Sequence, residues 1–164
     1  MYEEEWVDIV NFPNYMVSNY GRVRNIKHGR IVKMSYTRQG AVKVSLYLDN
    51  VRVTKSVKVL VAEAFLPGRT EQFNTAIHLD GDQGNNTIEN LIWRPRWFAW
   101  KFSRQFEFID TYLKLGPVYE VKSKQSYSSI AEAALKNGLL FKEVDYSISN
   151  KVATFPTWQQ FEWE

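Results

Sequence analysis

The sequence predicts an α+β protein with a β-rich start and a helical end. Three observations carry that expectation. Up to about residue 60 the chain is rich in short apolar and alternating stretches, broken by turn signals. A helical period then takes over at Val57, Leu60, Val61, Ala64 and Phe65. Beyond Gly116-Pro117, an Ala-rich stretch stops at Gly138 and a second helical stretch follows, which is the pattern of a helix-turn-helix as well as of a plain helical hairpin.

In chain order, Trp6–Val10 is apolar and Phe12-Pro-Asn-Tyr15 is a turn signal. Tyr15–Arg24 reads as strand, Gly21 turn, strand, and Lys27-His-Gly-Arg30 as a hairpin turn. From Ala41 to Leu48, Val42, Val44, Leu46 and Leu48 face one way, against Lys43, Ser45 and Tyr47. Asp49-Asn50 turns the chain into Val51–Thr54, completing an amphipathic ribbon with basic side chains on its polar face. Pro67-Gly68 ends the helix that begins near Val57. Residues 69–92 are loop-rich, with short apolar pieces at Ala76-Ile77 and Leu91–Trp93. Pro95 can sit in the first turn of a helix running from Arg96 to about Phe108, whose aromatic residues wrap most of its circumference. Val118–Val121 reads as a strand. Ser128–Asn137 is a helix capped by Ser128 or Ser129, Lys142–Asn150 a second helix, and the aromatic end up to Trp163 a strand or cap.

The 164 residues suit one ordinary domain or two to three small modules, and an apolar fraction of 45% is enough to bury real cores. With no cysteine, disulfide frameworks, Cys-zinc sites and thiol nucleophiles are excluded. No apolar run reaches the roughly 18 residues that span a bilayer. The first residues are acidic where a signal peptide would be basic, so the expectation is a cytoplasmic protein with no membrane partner. The formal charge is only +3, yet Tyr20–Leu60 holds ten basic residues and one acid, Asp49, so that segment carries +9 and the remainder −6. Such a basic block points to a polyanion.

Chemistry concentrates in Ile77–Trp93, where His78 beside an Asp80-Gly81-Asp82 loop is suited to general-base work. The same loop also reads as an ordinary turn, with too few carboxylates for a calcium site. Here the residues carry a resemblance. Tyr15–Asn25 resembles the nuclease-associated modular domain placed ahead of HNH endonucleases, and Val57–Phe65 the helix that follows it. Ile77–Trp93 is similar to the first two strands of the HNH ββα-metal (His-Me) finger, and Ser128–Lys151 to the helix-turn-helix nuclease-associated repeat. The resemblance implies three modules, residues 1–56, 57–115 and 116–164, and a phage-encoded protein of the bacterial host cell that binds double-stranded DNA.

In that family a His activates the attacking water. A divalent ion, held by an Asp or Asn just before that His and by an Asn or His of the following helix, offsets the charge of phosphoryl transfer. Carried over, His78 matches the general base, and Asn90, followed by Leu91, the Asn that orients it. The two ligand positions fall on Ile77 and Ala99, neither of which can hold a hard cation, and Lys58 stands where the family commonly has a His. Asp80 and Asp82 are the carboxylates left for a rearranged site. The expectation is therefore no metal cofactor, or magnesium or manganese if the nuclease is active. Arg22, Arg24, Lys27, Lys43, Arg52, Lys55 and Lys58 are placed to neutralise phosphates, and Lys142, Tyr146, Ser147 and Asn150 to reach base edges. The aromatic helix 97–108 fills core, or holds a protein partner if its rings are exposed.

Overall fold

Alternation in the first third of the chain produces two small antiparallel sheets in the computed structural model, which describes residues 3–164. The first sheet has the order β1 (Trp6–Asp8), β2 (Tyr15–Ser18), β3 (Val23–Asn25), β4 (Arg30–Ile31). The second joins β5 (Met34–Tyr36), β6 (Val42–Leu48) and β7 (Val51–Ser56) in that order. Leu48 pairs with Val51 across Asp49 and Asn50, whose φ angles of 47° and 64° give the tight turn that matches strand twist. The ribbon runs straight into α1 (Val57–Phe65), which buries Val57, Leu60, Val61 and Ala62. A long connection then leads to the hairpin of β8 (Thr75–His78) and β9 (Leu91–Arg94).

One core joins these pieces. Val17 and Val23 of the first sheet, Val44 and Leu46 of the second, Val57 and Val61 of α1 and Leu91 of β9 form a single buried cluster. Each such aliphatic side chain stabilises the fold by roughly 1.5–3 kcal/mol on burial. Tyr15 ties the sheets together, its hydroxyl accepting from the Tyr47 N–H at 3.2 Å. This unit extends to Arg96; the rest of the chain, Trp97–Glu164, forms a second one.

The aromatic segment begins as α2 (Arg96–Gln105), tightens into a 3-10 turn over Phe106–Phe108 and resumes as α3 (Ile109–Leu113). The single helix expected to about Phe108 thus ends earlier. The Gln105 amide donates to the Leu139 carbonyl at 3.3 Å and accepts from the Phe141 N–H at 2.8 Å, tying that end to the start of α5 (Phe141–Asn150). The three-stranded sheet of this unit has β10 (Val118–Glu120) between β11 (Ser126–Tyr127) and β12 (Phe161–Trp163). Ser129 caps α4 (Ile130–Asn137) by accepting from the Glu132 N–H at 3.1 Å. Lys136 and Ser128 hold the Glu132 carboxyl down to about 2. Gly138, at φ 60°, supplies the left-handed turn that ends the helix. No helix among the described residues is long and apolar enough to cross a membrane.

Candidate functional site

Register decides what His78 meets. Across the hairpin, His78 pairs with Leu91 and Ala76 with Trp93, while Ile77 pairs with Ile92 and Thr75 with Arg94. Alternation therefore puts His78 on the face of Ala76 and Trp93, and Ile77 on the opposite face. Ala76 and Trp93 pack with Ala62, so the His78 face is the one turned to α1.

His78 is only 7% exposed. Its Nε2 lies 3.0 Å from Asn86 Oδ1. Burial holds the imidazole below its ordinary value. The Asn86 bond opposes that shift, the Lys58 charge adds to it, and the Asp80 and Asp82 charges oppose it. Lys58 occupies the first turn of α1, and burial lowers its amine as well.

Asn90, expected to orient His78, makes no side-chain bond to it. Its Oδ1 accepts from the Asp80 N–H at 3.0 Å, and its Nδ2 donates to Asp80 Oδ1 and to the Asn85 carbonyl, both at 2.8 Å. It buckles the loop that follows His78, and its own carbonyl accepts from the Leu79 N–H at 2.8 Å. The direct partner, Asn86, was not singled out by the sequence. The signal was a loop rich in Asn, in which nothing but the fold distinguishes Asn85 from Asn86.

The donor set does not fit a divalent ion. Asp80 Oδ1 accepts from the Asp82 N–H at 2.8 Å and from Asn90, and its Oδ2 accepts from Asn85 Nδ2 at 2.7 Å. Asp82 Oδ1 accepts from the Gly84 N–H at 2.8 Å. These carboxylates serve the turn, and among the described residues no three His, Cys, Asp or Glu side chains are grouped to hold an ion. Ile77 is buried and its side chain offers no oxygen. Ala99 lies in α2 and offers none either.

The basic candidates separate by face. Lys43 stands opposite Ser56 and Arg52 opposite Tyr47, on the outer side of the β6–β7 ribbon, where Arg52 Nε donates to Ser45 Oγ at 2.9 Å. Lys55 pairs with Val44, on the other side, with its amine 5.5 Å from the centre of the Phe12 ring. The ribbon's bases thus do not share one polar face, because Lys55 lies an odd number of positions from Arg52 and Thr54 and so alternates to the other side. Arg24 lies over the Trp6 ring at 4.5 Å, and Arg22 is paired with Glu4. Lys27 is exposed in the turn after β3.

On α5, Lys142, Tyr146 and Asn150 follow one another at steps of four and are all exposed. Asn150 Nδ2 donates back to the Tyr146 carbonyl at 3.0 Å. Ser147 is buried, with its hydroxyl donating to the Val152 carbonyl at 2.5 Å and accepting from the Phe161 N–H at 3.1 Å, so it belongs to the core.

A small β-module packed through α1 onto a two-stranded hairpin, with a His closing the first strand and an Asn just ahead of the second, resembles an HNH-type endonuclease scaffold. The comparisons agree. The NUMOD4 motif matches residues 4–47. Two HNH endonucleases of Acanthamoeba polyphaga mimivirus, described as uncharacterized, are 39% and 33% identical over 89 and 85 residues, about half of this chain but 26% and 21% of theirs. The DNA endonuclease I-HmuI of Bacillus phage SP01 is 36% identical over 90 residues, 54% of this chain and 51% of its own. The match therefore spans from about a fifth to about half of the length of these relatives. The solved structure of the HNH homing endonuclease I-HmuI, which concerns DNA binding and cleavage, is 25% identical and aligns over 98% of both chains with a TM-score of 0.56. Over about half its length the chain is similar in sequence to HNH endonucleases, and its mixed helix–strand fold matches that of I-HmuI.

Proposed function

We propose that this protein binds duplex DNA on an HNH homing-endonuclease scaffold whose metal-assisted cleavage has been lost. The observation that carries the reading is the β8–β9 hairpin, where Ile77 pairs with Ile92 at the position from which the family presents a metal ligand. His78 and Asn90 remain as general base and loop organiser. Asp80 and Asp82, the alternative ligands, are engaged in their own turn. In this reading the modules are residues 1–56, 57–115 and 116–164. Lys43 and Arg52 meet the phosphate backbone, and Lys142, Tyr146 and Asn150 face the bases.

The test is a plasmid-nicking assay in magnesium and in manganese beside a salt titration of duplex binding. Salt-sensitive binding without nicking is expected. Nicking that disappears in His78→Ala would overturn the reading in favour of an active, metal-dependent enzyme.

A second reading concerns α2. Phe98 and Phe102 are buried, but Trp97, Trp100 and Phe108 are more than half exposed, with Arg104 over the Trp100 ring at 5.0 Å. A cavity of about 450 Å³ opens beside them, lined by Trp100, Arg104, Phe108, Tyr112 and Lys142. Exposed aromatics around a cavity favour contact with a partner macromolecule. Retention of DNA affinity in Trp100→Ala, with loss of a co-purifying host protein, would support a protein partner there.

A further inference from the structure

The bond between His78 and Asn86 has a direction that neighbouring groups impose. Asn86 Nδ2 donates to the Gly84 carbonyl at 3.0 Å, so the oxygen end of the amide is the end that meets His78 Nε2 at 3.0 Å. An amide oxygen only accepts. Nε2 must therefore carry the hydrogen, and in a neutral imidazole that leaves the lone pair on Nδ1.

Asn86 is held there by the first sheet. The Ile88 N–H donates to the Asn19 carbonyl at 2.8 Å. The Asn19 side chain in turn accepts from the Glu5 N–H and donates to the Glu3 carbonyl, both at 3.1 Å. Gly21, at φ +78°, lies flush against Asn86, and a Cβ built on it would stand 2.9 Å from Asn86 Cβ and 3.1 Å from its carbonyl oxygen. Nothing larger than glycine fits that approach without moving Asn86.

We propose that Asn86 is the positioning residue of His78, fixing its Nε2–H tautomer and leaving Nδ1 as the proton acceptor of the centre, and that the Gly21 turn of the N-terminal sheet holds Asn86 in that role. The proposal deepens the reading of a scaffold that has lost its metal. The half of the centre that accepts a proton from a water or hydroxyl group is kept, while the half that would hold a cation is gone. It also makes the N-terminal module part of the His78 site. A DNA-induced shift of the turn at residues 18–22 would be felt at the imidazole.

The experiment is long-range ¹⁵N–¹H correlation of the imidazoles of the full chain, free of DNA and metal, at a pH where both His are neutral. Exposed His28 serves as the internal reference. The wild type should show His78 as Nε2–H alone, whereas Asn86→Ala should return it to a mixture like that of His28. Asn86→Asp, which restores an acceptor oxygen, should recover Nε2–H. Gly21→Ala should give an intermediate spectrum. An Nδ1–H form of His78 in the wild type overturns the proposal even if every variant fails to fold, as does a His78 spectrum unchanged in Asn86→Ala. Neither result depends on whether DNA is nicked, so this test and the nicking assay fail separately.

Discussion

The two antiparallel ribbons of the first unit, β6–β7 and β8–β9, obey the same pairing rule with opposite consequences. On β6–β7 one face is buried and the other is solvated, so register separates Lys43 and Arg52, which look outward, from Lys55, which lies over Phe12. On β8–β9 both faces are buried around Ala76, Ile77, His78 and Leu91. Register there separates a His with a polar partner from an aliphatic pair, Ile77–Ile92. Neighbours in sequence thus belong to different environments in both ribbons. The solvated face of the first can change its charges at small cost, whereas either face of the second carries a core penalty.

The largest effect should come from forcing a ligand onto the aliphatic face. Ile77→Asp buries a carboxyl in place of a branched alkyl group and should lower stability by about 3 kcal/mol or more. Chemical denaturation measures it. Millimolar manganese should leave the wild-type midpoint unmoved; a rise in the wild type would mean that an ion site exists and would erase the contrast between the two faces.

A smaller effect should separate the sides of the first ribbon. Replacing Lys43 and Arg52 together by Ala should weaken duplex binding at low salt and reduce the slope of log affinity against log salt by about 2. Lys55→Ala should change that slope less. Equal losses from the two sides would show that the faces do not sort the bases as their register does.

The smallest effect is the pH dependence set by His78. Its folded pKa is below the ordinary value of 6.5, so the unfolded chain binds the proton more readily. Stability contributed by neutral His78 is present above the unfolded value and is lost as pH falls toward the folded one. Between about pH 7 and pH 5, His78→Gln should therefore show a shallower loss of stability than the wild type. Equal slopes would place His78 in a more solvated setting than its packing against α1 implies.

Local rules made much of this architecture legible. The helical period of Val57–Phe65, the Asp49-Asn50 turn, and the Ser129 cap and Gly138 stop of α4 each depend on residues within a few positions of one another, and each appears as read. β5 carries only three residues and takes its pairing from β6, so no local alternation announces it. The end of α2 at Gln105 is set by contacts with Leu139 and Phe141, more than thirty positions away. On α5, Ser147 read as a surface hydroxyl until Val152 and Phe161 supplied its partners.

The residue types determined by themselves that the side chain before His78 cannot coordinate a cation, since that of Ile77 is purely aliphatic. They also fixed a basic block between Tyr20 and Leu60 and the order of elements that matches an HNH scaffold. Only the tertiary structure decided that Asn86, not Asn90, meets the imidazole, that Lys55 leaves the face of Lys43, and that Gly21 presses on Asn86. The physical reason is one of range. Helix periods, caps and turns are set by backbone geometry over a few residues. A hydrogen bond from His78 to Asn86, buttressed by a turn more than sixty positions earlier, exists only once the sheets and α1 have closed a common core.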